Sequence, residues 1–357
     1  MSRIILVALL AAALVAPGTG PGRAAPPAGV PPRRPSAPRR QNPAAGDAAP
    51  VLRTVADVPL PGPAARFDYQ YLDQASDRLY IAHMGAGRIL VFNVKTRQVE
   101  GTIHGVPGVT GVWAVPALGR VYASVSRLHH VAVIDAGTLQ VVARLGTIGF
   151  PDGIAYAPDQ RKLYVSDESG GGELVIDART DQVEGTIPLD GEAGNSVYDP
   201  GSRCVLVAVQ TRNQVWVIDP NGDHVLGRFE LEGAARPHGL AIDNDRRLAF
   251  VANEGDAKLL TVDLRNMKVT GTAPVGERPD VLAIDPGWRR VYVASEIGTV
   301  TVFAEAGPGL VREGEIHIPN AHSVAVDPRT HLVYLPLQDV GGRPLLRIMT
   351  GTPPVGH

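Results

Sequence analysis

The chain has 357 residues, with 34 Lys and Arg against 36 Asp and Glu and a formal net charge of −2. Such a balance argues against a protein built around nucleic-acid phosphates. The single cysteine, Cys204, excludes an intramolecular disulfide, so the fold must hold by packing alone.

Residues 1–25 read as a secretory signal. Arg3 supplies a positive start, Ile4 to Val15 an apolar stretch, and Gly20 to Ala25 a small-residue cleavage zone. The apolar stretch falls short of the ~20 residues needed to span a bilayer, and no other segment reaches that length. The mature chain is therefore expected to be exported, periplasmic or extracellular, with no transmembrane segment. Cys204 is far from the cleavage zone, which excludes lipid attachment at a new N-terminal cysteine. Residues 26–50 are rich in Pro and Ala, carry Arg33, Arg34, Arg39 and Arg40, and show no apolar periodicity, the composition of a disordered linker.

From residue 51 to about residue 350 one unit recurs seven times. Tyr80, Tyr122, Tyr164, Leu206, Phe250, Tyr292 and Tyr334 stand 42, 42, 42, 44, 42 and 42 residues apart. A period of that length with four short apolar runs per repeat is the signature of propeller blades. The predicted fold class is all-β, a seven-bladed β-propeller of four-stranded antiparallel blades, in one domain because each blade buries its faces against its neighbours. In the third repeat the strands are predicted at 153–157 (a), 163–166 (b), 173–177 (c) and 182–187 (d). Their nearly continuous Val, Ile, Tyr and Leu suit sheets packed on both faces. The run RTVADVPL at 53–60 precedes the first repeat, and the last repeat has only three clear strands. The N-terminal strand is thus expected to complete blade seven and close the ring.

Two columns read as structural. Asn93, Asp135, Asp177, Asp219 and Asp263 end the c strands, where a short Asx side chain bonds the following turn. Pro158, Pro200, Pro286 and Pro328 mark the a–b turns.

The run RPHGLAIDNDRRLAFVANEGDAKLLTVDLRNMKVTGTAPVG at 236–276 resembles the repeat of the YVTN β-propeller family, which includes bacterial exported YncE-like proteins. The same pattern covers almost everything after Val51. The resemblance implies the propeller fold but selects no single activity, because related repeats serve binding proteins, surface proteins, redox-enzyme subunits and, in the similar lactonases, hydrolases. Blades six and seven depart from the pattern, with Phe303 and Ala304 at the end of strand c, an irregular segment at 305–315, and Leu335 and Pro336 in strand b.

With strand a innermost, the d–a and b–c loops emerge on one face of the disc. Twelve residues before the aromatic column stand Asp68, Thr110, Asp152, Gly194, His238, Asp280 and His322. His238, Asp280, His322 and Asp68 belong to consecutive blades and are expected to form an arc at the channel mouth. Four residues after the column, the b–c loops open with Met84, Ser126, Glu168, Gln210, Glu254, Glu296 and Gln338, and Asn253 precedes Glu254. Arg66, Arg236 and Arg278 lie two residues upstream of the arc. Convergent polar groups of this kind suit a ligand site. The candidate set is Asp68, His238, Asp280, His322, Arg66, Arg236, Arg278, Asn253, Glu254 and Glu296, with apolar contact expected from Trp113 and Phe150.

The three guanidinium forks favour a small anionic ligand, and a peptide or protein partner is the other expectation. Against this stands mutual pairing of exposed loop charges, worth ~0–1 kcal/mol per pair. A divalent metal is the sharper alternative: His238 and His322 with Asp280 and Glu254 or Glu296 offer imidazole and carboxylate donors that suit Zn, Mn or Fe, although no compact ligand motif accompanies them. No catalytic residue is assigned, since no serine sits in GxSxG and Cys204 reads as a small buried hydrophobe. The expected function is an exported binding or interaction protein, and the alternative is a metal-assisted or His-dependent hydrolase resembling the propeller lactonases. Nucleic acid is not expected, because no basic and aromatic stripe is visible.

Overall fold

The short apolar runs of each repeat pair in chain order, so that every repeat becomes one antiparallel meander with strand a innermost and strand d outermost. The structure, a computed structural model, describes residues 50–307 and 309–354. The expected signal, and the expected linker apart from residue 50, lie outside them. Blades one to six occupy 70–104, 109–145, 151–188, 193–230, 237–274 and 279–317. In blade three the strands are Pro151–Ala157, Lys162–Asp167, Gly172–Asp177 and Gln182–Pro188, each within two residues of the sequence expectation. Among the described residues the only helices are single 3-10 turns, and none is long and apolar enough to cross a membrane.

Blade seven is built from both ends of the described chain. Its strands a to c are Ala325–Asp327, Leu332–Leu337 and Leu345–Gly351, and Leu52–Pro59 supplies strand d. Leu52 pairs with Gly351 and Pro59 with Leu345 across this junction. Arg347 donates two hydrogen bonds to the Asp57 carboxylate at 2.8 and 2.6 Å, locking the register.

The core lies between the sheets. The aromatic column on strand b is almost entirely buried, and two of its tyrosines reach into the next blade: Tyr122 donates to Asp181 at 2.7 Å and Tyr164 to Asp223 at 2.5 Å. Where the column carries Leu206 and has no hydroxyl, Arg247 of blade five bonds Asp199 of blade four instead. The Asx column behaves as expected, its side chains accepting from turn amides such as Lys95, Gly137 and Arg265.

The irregular segment expected at 305–315 is instead a long hairpin of Thr299–Ala306 and Gly309–His317, paired out to Ala306 and Gly309. Its polar residues break the apolar pattern because they have partners. Glu305 is buried against Arg246 of blade five at 3.3 Å, and Glu313 takes both Nε and Nη2 of Arg290.

A chain beginning at Gly62 leaves strand c of blade seven as an unpaired edge and exposes Leu346 and Ile348, which are fully buried. Its melting temperature is expected to fall by several degrees. An unchanged melting temperature in differential scanning calorimetry refutes closure as a source of stability.

Candidate functional site at the channel mouth

A slip in register turns the arc residues toward the axis. In blade three Pro151 pairs with Asp167 but Ile154 with Val165; in blade five Pro237 pairs with Asn253 but Leu240 with Val251. In blade six Pro279 pairs with Ser295 but Val281 with Ala294. Asp152, His238 and Asp280 sit in these bulges, a device that re-aims a side chain out of the ladder. The blades crowd there. A Cβ on Gly111 or Gly239 would overlap the carbonyl of Asp152 or Asp280 on the next blade, so the inner strands can approach only because these positions are glycine.

One column beyond the arc reads Tyr69, Gly111, Gly153, Asn195, Gly239, Val281 and Ser323. Six smaller residues leave room for one tyrosine, and Tyr69 extends across the channel. Its hydroxyl meets Asn195 Oδ1 at 2.9 Å, and Asp152 Oδ2, His238 Nε2 and Asp280 Oδ1 each at 3.2 Å. A phenol has one proton to give and two lone pairs. The hydroxyl can therefore serve at most three of its four neighbours at once, and two of those only as donors to it.

The electrostatics supply those donors. Burial holds the Asp152 carboxyl well above the usual range, reinforced by the charges of Asp68, Glu168 and Asp280 and opposed by that of His238. Burial pushes His238 down, but the Asp280 hydrogen bond and the Asp280, Asp152 and Glu254 charges outweigh it and raise the imidazole to about 10. Asp280 is held ionised: burial raises its carboxyl, and the hydrogen bond and charge of His238, 3.4 Å away, more than offset this. Burial also raises the Glu254 carboxyl.

Above Tyr69 lies a cavity of about 110 Å³ whose lining includes Arg66, Asp68, His238, Glu254, Asp280 and Glu296 of the candidate set. Asp152, Glu168, Thr110 and Phe150 complete much of the wall. His322 adjoins it, with Nε2 3.7 Å from Asp68 Oδ1.

The three arginines do not converge as free forks. Arg66 and Arg278 both hold Glu296, at 3.2 and 2.6 Å, while Arg236 turns to Glu192 at 3.1 Å and Gln210 at 3.0 Å. Asn253 is buried at the end of strand b and does not line the cavity. Trp113 is displaced from the expected mouth. It lies on the far side of Tyr69 and packs on Tyr71 with ring centroids 4.4 Å apart, since strand a carries it further along the axis.

The lower channel, about 140 Å³, has a mixed lining, with Tyr71, Trp113, Leu240, Leu282 and Val324 beside Gln70, Asn195 and Ser196. Tyr69 thus divides an acidic chamber from one of mixed polar and apolar lining. The sequence signal for Tyr69 was the lone large residue in a column of small ones, one step from the arc.

No protein-family model and no curated protein matches this chain. Among solved structures, a chain of Kuenenia stuttgartiensis hydrazine synthase is similar, with a TM-score of 0.68 at 16% identity, covering 77% of this chain and 92% of that one. At that identity the likeness shows the propeller fold alone.

Replacing Tyr69 by Phe leaves the buried polar groups without their shared partner. The expected cost is about 1–3 kcal/mol in urea unfolding. His238 rises from 6.5 free to about 10 folded. Its stabilisation is therefore fully present below pH 6.5 and lost as pH rises through 10. Melting temperature should fall across that window, and His238→Gln should flatten the fall; an identical profile in the variant refutes the assignment.

Proposed function

We propose that this protein is an exported β-propeller of the YVTN type that binds a small positively charged ligand at the mouth formed by its d–a and b–c loops. The observation that carries the proposal is charge. Six carboxyl groups, Asp68, Asp152, Glu168, Glu254, Asp280 and Glu296, line one cavity against Arg66 and His238; burial pushes Asp152 and Glu254 toward their neutral forms, and the other four still outnumber the two cations. The anionic ligand expected from the arginine column loses its basis, because Arg66 and Arg278 share one carboxylate and Arg236 pairs with Glu192. Excess buried negative charge attracts a cation and raises its local concentration.

The apolar N-terminal stretch supports export, and the repeat supports the family resemblance. The hydrolytic alternative has one observation in its favour: Asp152 and Asp280 touch the same hydroxyl while their protonation is driven apart, the arrangement of an acid and base pair. The binding reading needs only the charge and the cavity, and stands first.

A thermal-shift titration with putrescine, manganese, citrate and inorganic phosphate tests it. A cation should raise the melting temperature saturably in the native protein and not in Asp280→Asn. Saturable stabilisation by the anions alone overturns the reading.

A further inference from the structure

We propose that Asp68, Asp280 and His322 together bind one divalent transition-metal ion at this mouth, an inference that rests on the cation reading above and names its chemical class. The three residues come from blades one, six and seven, where the ring closes. One ligand atom from each lies within 4.8 Å of the other two. The residues are 4%, 5% and 6% exposed.

The independent observation is His322. Its Nε2 is buried and has no hydrogen-bond partner. It faces Asp68 Oδ1 across 3.7 Å, too far for a hydrogen bond. Two donors bonded to one tetrahedral cation at about 2.0–2.2 Å lie about 3.4 Å apart, so the gap is close to that of a shared ion. A buried imidazole nitrogen beside a carboxylate at this separation has an unmet need that a metal satisfies.

Asp280 is steadied from behind. Tyr69 and His238 both hold its Oδ1, at 3.2 and 3.4 Å, the outer support that orients a ligating carboxylate. One imidazole and two carboxylates suit Zn, Mn or Fe(II) better than the all-oxygen sites of Ca and Mg or the thiolate sites of Cu(I). Three protein donors leave coordination positions open toward the cavity.

The test is isothermal titration of the purified, EDTA-treated protein with manganese and with zinc. The variants are His322→Ala, Asp68→Asn and Asp159→Asn, the last an exposed acid on the a–b turn of blade three, outside the cavity. One ion per chain is expected, with affinity reduced at least ~100-fold in the first two variants and within a few-fold of native in the third. Circular dichroism and melting temperature establish that each variant is folded. A site that survives His322→Ala in folded protein overturns the proposal. Stabilisation by putrescine with no binding of either metal overturns the metal assignment and keeps the cation reading. Silence of all these probes overturns both.

Discussion

Seven innermost strands meeting around one axis leave space for a single large side chain at the mouth, and blade one provides it as Tyr69. The close approach depends on glycine in neighbouring blades, where a Cβ on Gly111 or Gly239 would strike the next blade's carbonyl. The bulges in strand a follow from the same crowding. They release the ladder and turn Asp152, His238 and Asp280 inward, so packing around the axis and placement of the polar cluster are one constraint seen from two sides.

That cluster concentrates acid in a place poorly reached by water. Its titration is divided: burial pushes Asp152 up, His238 holds Asp280 down, and Tyr69 joins them. Such a buried network is stable only when its donors and acceptors are matched. Two imidazole nitrogens of the cluster are left unmatched, His322 Nε2 and His238 Nδ1. A polar group buried without a partner costs free energy, and the cost at His322 sits where blades one, six and seven meet.

The two ends of the channel differ chemically. On one side of Tyr69 the lining is rich in carboxylates; on the other Tyr71, Trp113, Leu240 and Leu282 stand beside Gln70, Asn195 and Ser196. The asymmetry follows strand a, in which Asp152, His238 and Asp280 stand near the start and Trp113, Leu240 and Leu282 further along, so translation along the strand becomes depth along the axis.

The period of the aromatic column determined the number of blades, and the four apolar runs of each repeat their strands, because each repeat must bury the same faces against its neighbours; the closing strand was legible in the run at 53–60, which the structure places at Leu52–Pro59. The arc was legible for the same reason: a fixed offset from that column identifies equivalent positions, and Asp68, His238 and Asp280 do line one cavity, with His322 beside it. Partner choice was not legible. Nothing in the spacing of Arg66, Arg236 and Arg278 showed that two of them would share Glu296 and the third turn to Glu192, since these pairs join residues up to 230 positions apart. Likewise the reach of Tyr69 depends on six other blades being small at that level. Those facts belong to the closed ring, where contacts between distant repeats are decided by distance through space and not along the chain.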